Sequence, residues 1–164
     1  MSQPSSSVRI RHGLEPGDLG TIVHLHGVLY AREHGLDTTF EPYVAKPLSD
    51  FVLSGSGRLW VAEDEGRMLG SIALVDAGSR TGQLRWFLVV PEARGTGVGR
   101  RLLEEALAYA RQRGMAHVYL WSFATLTDAL RLYERAGFRT TETKKSFVWG
   151  ADRTEVRMDL KLGE

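Results

Sequence analysis

Apolar and polar positions along this chain follow two different periods, and the switches between them outline the elements. Val8 to His12 alternates apolar and charged residues as a half-buried strand does, after which Glu15-Pro16-Gly17-Asp18 supplies breakers and an N-cap. From Leu19, the residues Ile22, Val23, Leu29 and Tyr30 recur at helical spacing, and Gly35 marks the stop. Phe40, Val44, Leu48 and Phe51 predict a second helix, which Pro47 should bend or split. Arg58–Glu63 and Met68–Val75 are β-prone runs joined by a hairpin turn at Asp64-Glu65-Gly66. Gln83–Val90 extends the meander; its end, Phe87-Leu88-Val89-Val90, is apolar on both faces, which predicts a place in the middle of the sheet, and Pro91 ends it.

Val98, Leu102, Ala106, Tyr109 and Ala110 form the stripe of a long helix closed by Gly114. His117–Phe123 returns as a strand. Ala129, Leu132, Tyr133 and Ala136 line a short helix capped by Gly137, and strands near Phe138–Thr143 and Arg153–Leu162 follow. The pattern predicts one α/β domain over residues 8–164, behind a disordered leader at residues 1–7.

Composition removes several functions. A formal net charge of +1 gives no global field for a nucleic-acid backbone, so an anion site must be local. The absence of cysteine excludes thiolate nucleophiles and cysteine metal sites and makes the cytoplasm the default location. No apolar run approaches the ~20 residues of a membrane span, so no membrane partner is expected.

The chemistry concentrates in Arg94-Gly95-Thr96-Gly97-Val98-Gly99-Arg100-Arg101, between a central strand and a helix start. Unpaired N–H groups and the helix dipole attract anions there, glycines permit close backbone approach, and three arginines favour a diphosphate over a lone carboxylate. Arg100 follows Gly99 where a Walker loop has its lysine, and a dinucleotide fingerprint would place a third glycine at that same residue. ATP hydrolysis and NAD binding are both disfavoured.

The remaining pattern, Arg-x-x-Gly-x-Gly after an apolar strand, resembles the signature of the GNAT acetyltransferase superfamily. Leu88-Val89-Val90-Pro91-Glu92 is similar to the family's Leu-x-Val-x-Pro-Glu, with valine and proline one position closer. Ala129-Leu130-Arg131-Leu132-Tyr133-Glu134-Arg135-Ala136-Gly137-Phe138 resembles its closing Ala-x-x-x-Tyr-Glu-x-x-Gly-Phe. These motifs cover most of Gln83 to Arg139. His26–Gly35 also looks like a branch of the family often linked to MarR-type regulators, although no regulator domain is present in this sequence.

The resemblance implies a mixed, mostly antiparallel sheet of about seven strands with about four helices and a splay between strands four and five. It implies acetyl-CoA as cosubstrate, with no metal, and an amine acceptor on a small molecule or protein. The cofactor would be held by Phe87, Leu88, Val89 and by Arg94, Gly95, Thr96, Gly97, Val98, Gly99 and Arg100. Backbone groups of Phe87 and Val89 would pair with the pantetheine, and an N–H near Phe87 or Leu88 would hold the oxyanion. Tyr133 matches the residue that protonates the departing thiolate. Leu126 departs from the family, in which many members have asparagine at that point, and Ser122, Thr125 or Thr127 could supply a hydroxyl instead, or simply cap the helix. Relatives are often homodimers; nothing in this sequence marks an interface.

The acceptor site is less determined. His26 falls within the apolar stripe, facing core or pocket, and Tyr30 and Glu33 lie one turn on. Arg85 could clamp a carboxylate and, two residues from Phe87, should share its sheet face. Trp60, Trp86, Trp121 and Trp149 could wall an acceptor pocket or belong to the core. An enzyme acetylating a small-molecule or protein amine is the leading reading; peptide N-terminal acetylation and a catalytically weak acyl-CoA sensor are the alternatives.

Overall fold

The computed structural model describes residues 7–163, so all of the expected leader except Ser7 lies outside the described residues. Among the described residues seven strands and four α-helices follow in the order β1 Arg9–His12, α1 Asp18–His34, α2 Phe40–Ser54, β2 Gly57–Asp64, β3 Arg67–Asp76, β4 Thr81–Val89, α3 Val98–Gln112, β5 His117–Phe123, α4 Thr127–Arg135, β6 Arg139–Val148 and β7 Ala151–Lys161. One sheet runs in the order β1-β2-β3-β4-β5-β7-β6. Every neighbouring pair is antiparallel except β4 and β5, which are parallel.

Helices cover both sheet faces. α1 and α2 bury Ile22, Phe40, Val44 and Leu48 with Leu59, Val61 and Ala73, while α3 presses Val98, Leu102, Leu103, Ala106, Leu107 and Ala110 onto the opposite side. Each fully buried leucine of that stripe contributes roughly 2 kcal/mol by removal from water. As expected, β4 is the middle strand of seven.

Three local expectations change. α2 is not split at Pro47, which lies between the buried Val44 and Leu48; the burial of its stripe outweighs one missing backbone bond. The first residue of α1 is Asp18, and its N-cap is Gly17 in the left-handed conformation with no side-chain cap bond. The Asp18 carboxylate instead accepts the Glu15 N–H at 2.8 Å and pairs with Arg11, tying β1 to α1. β6 continues to Val148, five residues beyond the predicted end, because its cross-strand pairing with β7 sustains a strand whose exposed Thr-Glu-Thr-Lys-Lys run shows no apolar alternation. Trp149 and Gly150, both at positive φ, close that hairpin.

Two irregularities shape the sheet centre. β4 and β5 pair only from Thr81–His117 to Gln83–Tyr119, after which both strands continue without meeting. This is the splay that the resemblance implies. In the β3–β4 ladder Ala73 lies opposite Arg85 but Ser71 lies opposite Leu88, so Trp86 and Phe87 face the single residue Ile72 in a β-bulge. Trp86 takes φ of 49°, a conformation seldom adopted by a bulky residue. The buried Ser71 hydroxyl donates to the Trp86 carbonyl at 2.8 Å and the indole packs on Phe51, which holds the bulge in place. Ser71→Ala strips that carbonyl of its donor and is expected to cost roughly 1–3 kcal/mol in urea unfolding; a loss below about 0.5 kcal/mol would show that the bulge does not depend on this bond.

Candidate functional site

The segment after β4 forms a single 3-10 turn, Pro91–Ala93, and then bends through Gly95 at φ 78° and Gly97 at φ 91° into α3. The Thr96 hydroxyl donates to the Ala93 carbonyl at 2.5 Å and fixes the bend. The first intrahelical bond runs from the Arg101 N–H to the Gly97 carbonyl. The six amide N–H groups from Gly95 to Arg100 consequently have no acceptor among the described residues. A β-carbon at Gly95 or Gly97 would meet no atom within 4 Å, so open space lies over this array, whereas one at Gly99 would touch Phe87 and Val89 at 3.4 Å. Consecutive unpaired amides at a helix N-terminus are the donor set a diphosphate requires. The residues present fit the phosphate-bearing part of coenzyme A.

A cleft of about 1110 Å³ runs from this loop along β4 to α4 and includes Phe87, Leu88, Val89, Arg94, Gly95, Gly97, Gly99 and Arg100. Thr96 and Val98 are not on its wall: the Thr96 hydroxyl holds the turn, and Val98 is buried in the core, so only their backbone groups belong to the amide array. The Val90 N–H bonds to Leu69 of β3, so by strand alternation the polar groups of Val89 point toward β5 and the splay. The Val89 carbonyl already accepts a bond from Arg94 Nε at 3.0 Å. The two terminal nitrogens of Arg94 grip both oxygens of Glu33, each at 3.0 Å. Arg94, expected among the diphosphate donors, therefore fastens the end of α1 to the loop, and Glu33 serves this pair.

At the inner end of the cleft a second cavity of about 340 Å³ shares Tyr30, Phe87, Leu126 and Ala129 with it and also includes His26, Arg85 and Tyr133. Tyr133 is 5% exposed, lies between Phe87 and Phe138 with ring centroids 5.8 Å from each, and its hydroxyl has no hydrogen-bond partner among the described residues. Burial, with a smaller effect of Tyr30, raises its pKa well above the usual phenol range, so the proton is retained at neutral pH. Tyr30 is likewise pushed up to about 12 by burial, with Arg94 opposing and Glu33 adding to it.

His26 Nδ1 donates to the Ile22 carbonyl at 2.8 Å, the ring stacks on Tyr30, and burial brings its pKa down to about 4 against the opposing pull of that bond. Its neutral ring keeps an Nε2 lone pair and is a weak base. Arg85 does not share a face with Phe87 as the two-residue spacing predicted. The bulge inserts an extra residue between them: Arg85 sits opposite Ala73 of the α1/α2 core, while Phe87 packs on Tyr133 of α4.

Leu126, where the family pattern often has asparagine, lines both cavities; Thr125 and Thr127 line the larger cleft and Ser122 the inner one. No hydroxyl caps α4. Trp86, Trp121 and Trp149 wall the inner cavity, but Trp60 packs on Tyr109 in the core. Residue spacing gave no sign of Phe40, Tyr43 and Phe123, which join Trp149 in an aromatic cluster with centroids 4.8–6.1 Å apart. They come from α2, β5 and the β6–β7 turn, and only tertiary structure unites them. Among the described residues no group of three His, Asp or Glu side chains could hold a metal, and no helix is long and apolar enough to cross a membrane.

Residues 26–138 match the acetyltransferase (GNAT) family model, and the chain belongs to that family. An uncharacterised N-acetyltransferase of Schizosaccharomyces pombe is 34% identical over 118 residues, which cover 69% of this chain and 72% of that protein. A Salmonella typhimurium protein described as an acetyltransferase and solved with its cofactor acetyl-CoA superposes with a TM-score of 0.78 at 20% identity, covering 97% of this chain and 96% of that one. The spermidine N-acetyltransferase of Vibrio cholerae, solved with CoA and spermine, gives 0.71 at 23% identity and covers 96% of this chain and 96% of the other. At these identities the two structures establish the shared fold. The chain is thus a GNAT acetyltransferase, and the sensor alternative finds no support among these N-acetyltransferases.

The unfolded chain protonates His26 near pH 6.5, and the folded chain only near 4, so acid favours unfolding across that window. Urea unfolding is expected to show about 2 kcal/mol less stability from this group at pH 5 than at pH 7.5. His26→Gln should flatten that segment of the pH profile; an unchanged slope would show that the ring is not buried neutral.

Proposed function

We propose that this protein transfers an acetyl group from acetyl-CoA directly to a primary amine of a small molecule or protein. One observation carries this reading: the unpaired amides of Gly95–Arg100 and the free edge of β4 lie along a single cleft, and that cleft adjoins, at Tyr30, Phe87, Leu126 and Ala129, the separate cavity that Tyr133 lines. Acetyl-CoA supplies the activated thioester. The amides of Gly95, Thr96, Gly97, Val98, Gly99 and Arg100 bind its diphosphate, with the Arg100 guanidinium beside them, and the β4 edge at Phe87 and Val89 aligns the pantetheine by strand-like bonds. Arg94 acts by positioning the loop against Glu33.

The acceptor amine enters from the inner cavity in its neutral form. An N–H at Phe87 or Leu88, beside the bulge, stabilises the negative charge that grows on the acyl oxygen. Tyr133, kept protonated by burial, donates its proton to the departing thiolate and is reprotonated by the proton that the acylated nitrogen loses. His26 and Tyr30 shape the acceptor side, where neutral His26 offers a lone pair rather than a strong base. No covalent acyl-enzyme is required. We assign the protein to the cytoplasm and relate its α1 segment His26–Gly35 to the regulator-linked branch on sequence likeness; a homodimer is compatible with this reading.

Tyr133→Phe is expected to lower kcat by about 10²-fold or more, read as thiol release, while calorimetric CoA affinity stays within about twofold. Unchanged turnover would remove Tyr133 from the chemistry.

A further inference from the structure

The inner cavity has an uneven chemistry. Nine of its twenty lining residues are Phe, Tyr or Trp, from a chain that holds fifteen such residues. Its ionisable wall residues include Arg85, Lys144, Glu155 and the neutral His26. Glu155, the one carboxylate, accepts from Ser146 at 2.9 Å and pairs with Lys144 at 3.7 Å. Arg85 has no ion pair and no hydrogen bond among the described residues; its guanidinium lies over the Trp86 ring, 4.5 Å from the centroid. A half-buried guanidinium on an indole face, with all five donors unused, is presented for a planar anion. A polyamine would bring several positive charges to a wall that already carries an uncompensated one.

We infer that the acceptor is an amine that also bears a carboxylate and an aromatic or similarly bulky apolar group, as an aromatic amino acid does. Its carboxylate binds Arg85 and its apolar part lies against the Phe40–Tyr43–Trp149 cluster. This rests on the acetyl-transfer reading above. It also gives the bulge a second consequence: by moving Arg85 off the face of Phe87, it separates the site for the acceptor's anion from the site where the acyl oxygen becomes negative.

Thiol release by the full-length protein is measured with L-phenylalanine and L-tryptophan, with phenethylamine and tryptamine as their decarboxylated counterparts, and with spermidine, each corrected for its fraction of neutral amine. The carboxylated acceptors are expected to show kcat/KM roughly 10- to 100-fold higher than their counterparts. Arg85→Met keeps the stem over Trp86 and should abolish that preference without lowering turnover of tryptamine, while Arg85→Lys should restore part of it. Equal rates for tryptophan and tryptamine, or spermidine as the best acceptor, overturns the carboxylate assignment and leaves acetyl transfer intact. Thiol release with none of these amines directs the test to binding: calorimetry with the CoA-bound protein should find N-acetyl-L-phenylalanine at least about 10-fold tighter than N-acetylphenethylamine, and no such preference overturns the assignment. Acetyl transfer itself fails only if a wider amine panel also releases no thiol.

Discussion

Backbone hydrogen bonds left unmade are the constraint on which this structure turns. A folded chain satisfies nearly all its buried amides and carbonyls, yet here two runs lack the usual partners: six N–H groups at the head of α3, and the edge of β4 beyond Gln83, which β5 does not pair although Arg94 bonds its Val89 carbonyl. Both are held open by their surroundings. Left-handed Gly95 and Gly97 turn the loop amides outward, and the short β4–β5 ladder leaves the strand edge facing a cleft. Under the proposed function, coenzyme A, anionic at one end and strand-like along its length, satisfies both runs together.

The rest of the site follows from the same opening. Where β5 departs from β4, the two core layers are no longer separated by a continuous sheet, and Tyr30, Phe87, Leu126 and Ala129 stand at the junction of the larger cleft and the inner cavity. Tyr133 is sealed there among apolar rings, which fixes its proton. Arg94, Glu33 and the Val89 carbonyl brace the loop against α1, so residues from both halves of the chain set one geometry.

Much of the order of elements was legible because each carries its own periodicity. The stripe of α3, the apolar end of β4 and the glycine loop are local patterns, and they position the amide array and the cleft beside it. The splay came from family resemblance alone. Features that depend on partners distant in sequence were not legible. The bulge at Trp86 arises from a register shift against β3 and the Ser71 hydroxyl, so the simple alternation that paired Arg85 with Phe87 failed. The guanidinium of Arg94 read as a phosphate donor because Glu33, sixty-one residues away, gave no sign of being its partner. The aromatic cluster at Trp149 was invisible for the same reason, and the polar edge strand β6 hid its length.

Backbone amide NMR during a titration tests the central claim most directly. Addition of coenzyme A is expected to shift the Gly95–Arg100 amide protons downfield and slow their exchange, and pantetheine, which lacks the diphosphate, should leave them unmoved. Shifts of the same size with pantetheine, or none with coenzyme A at saturation, would contradict the assignment of the diphosphate to this array.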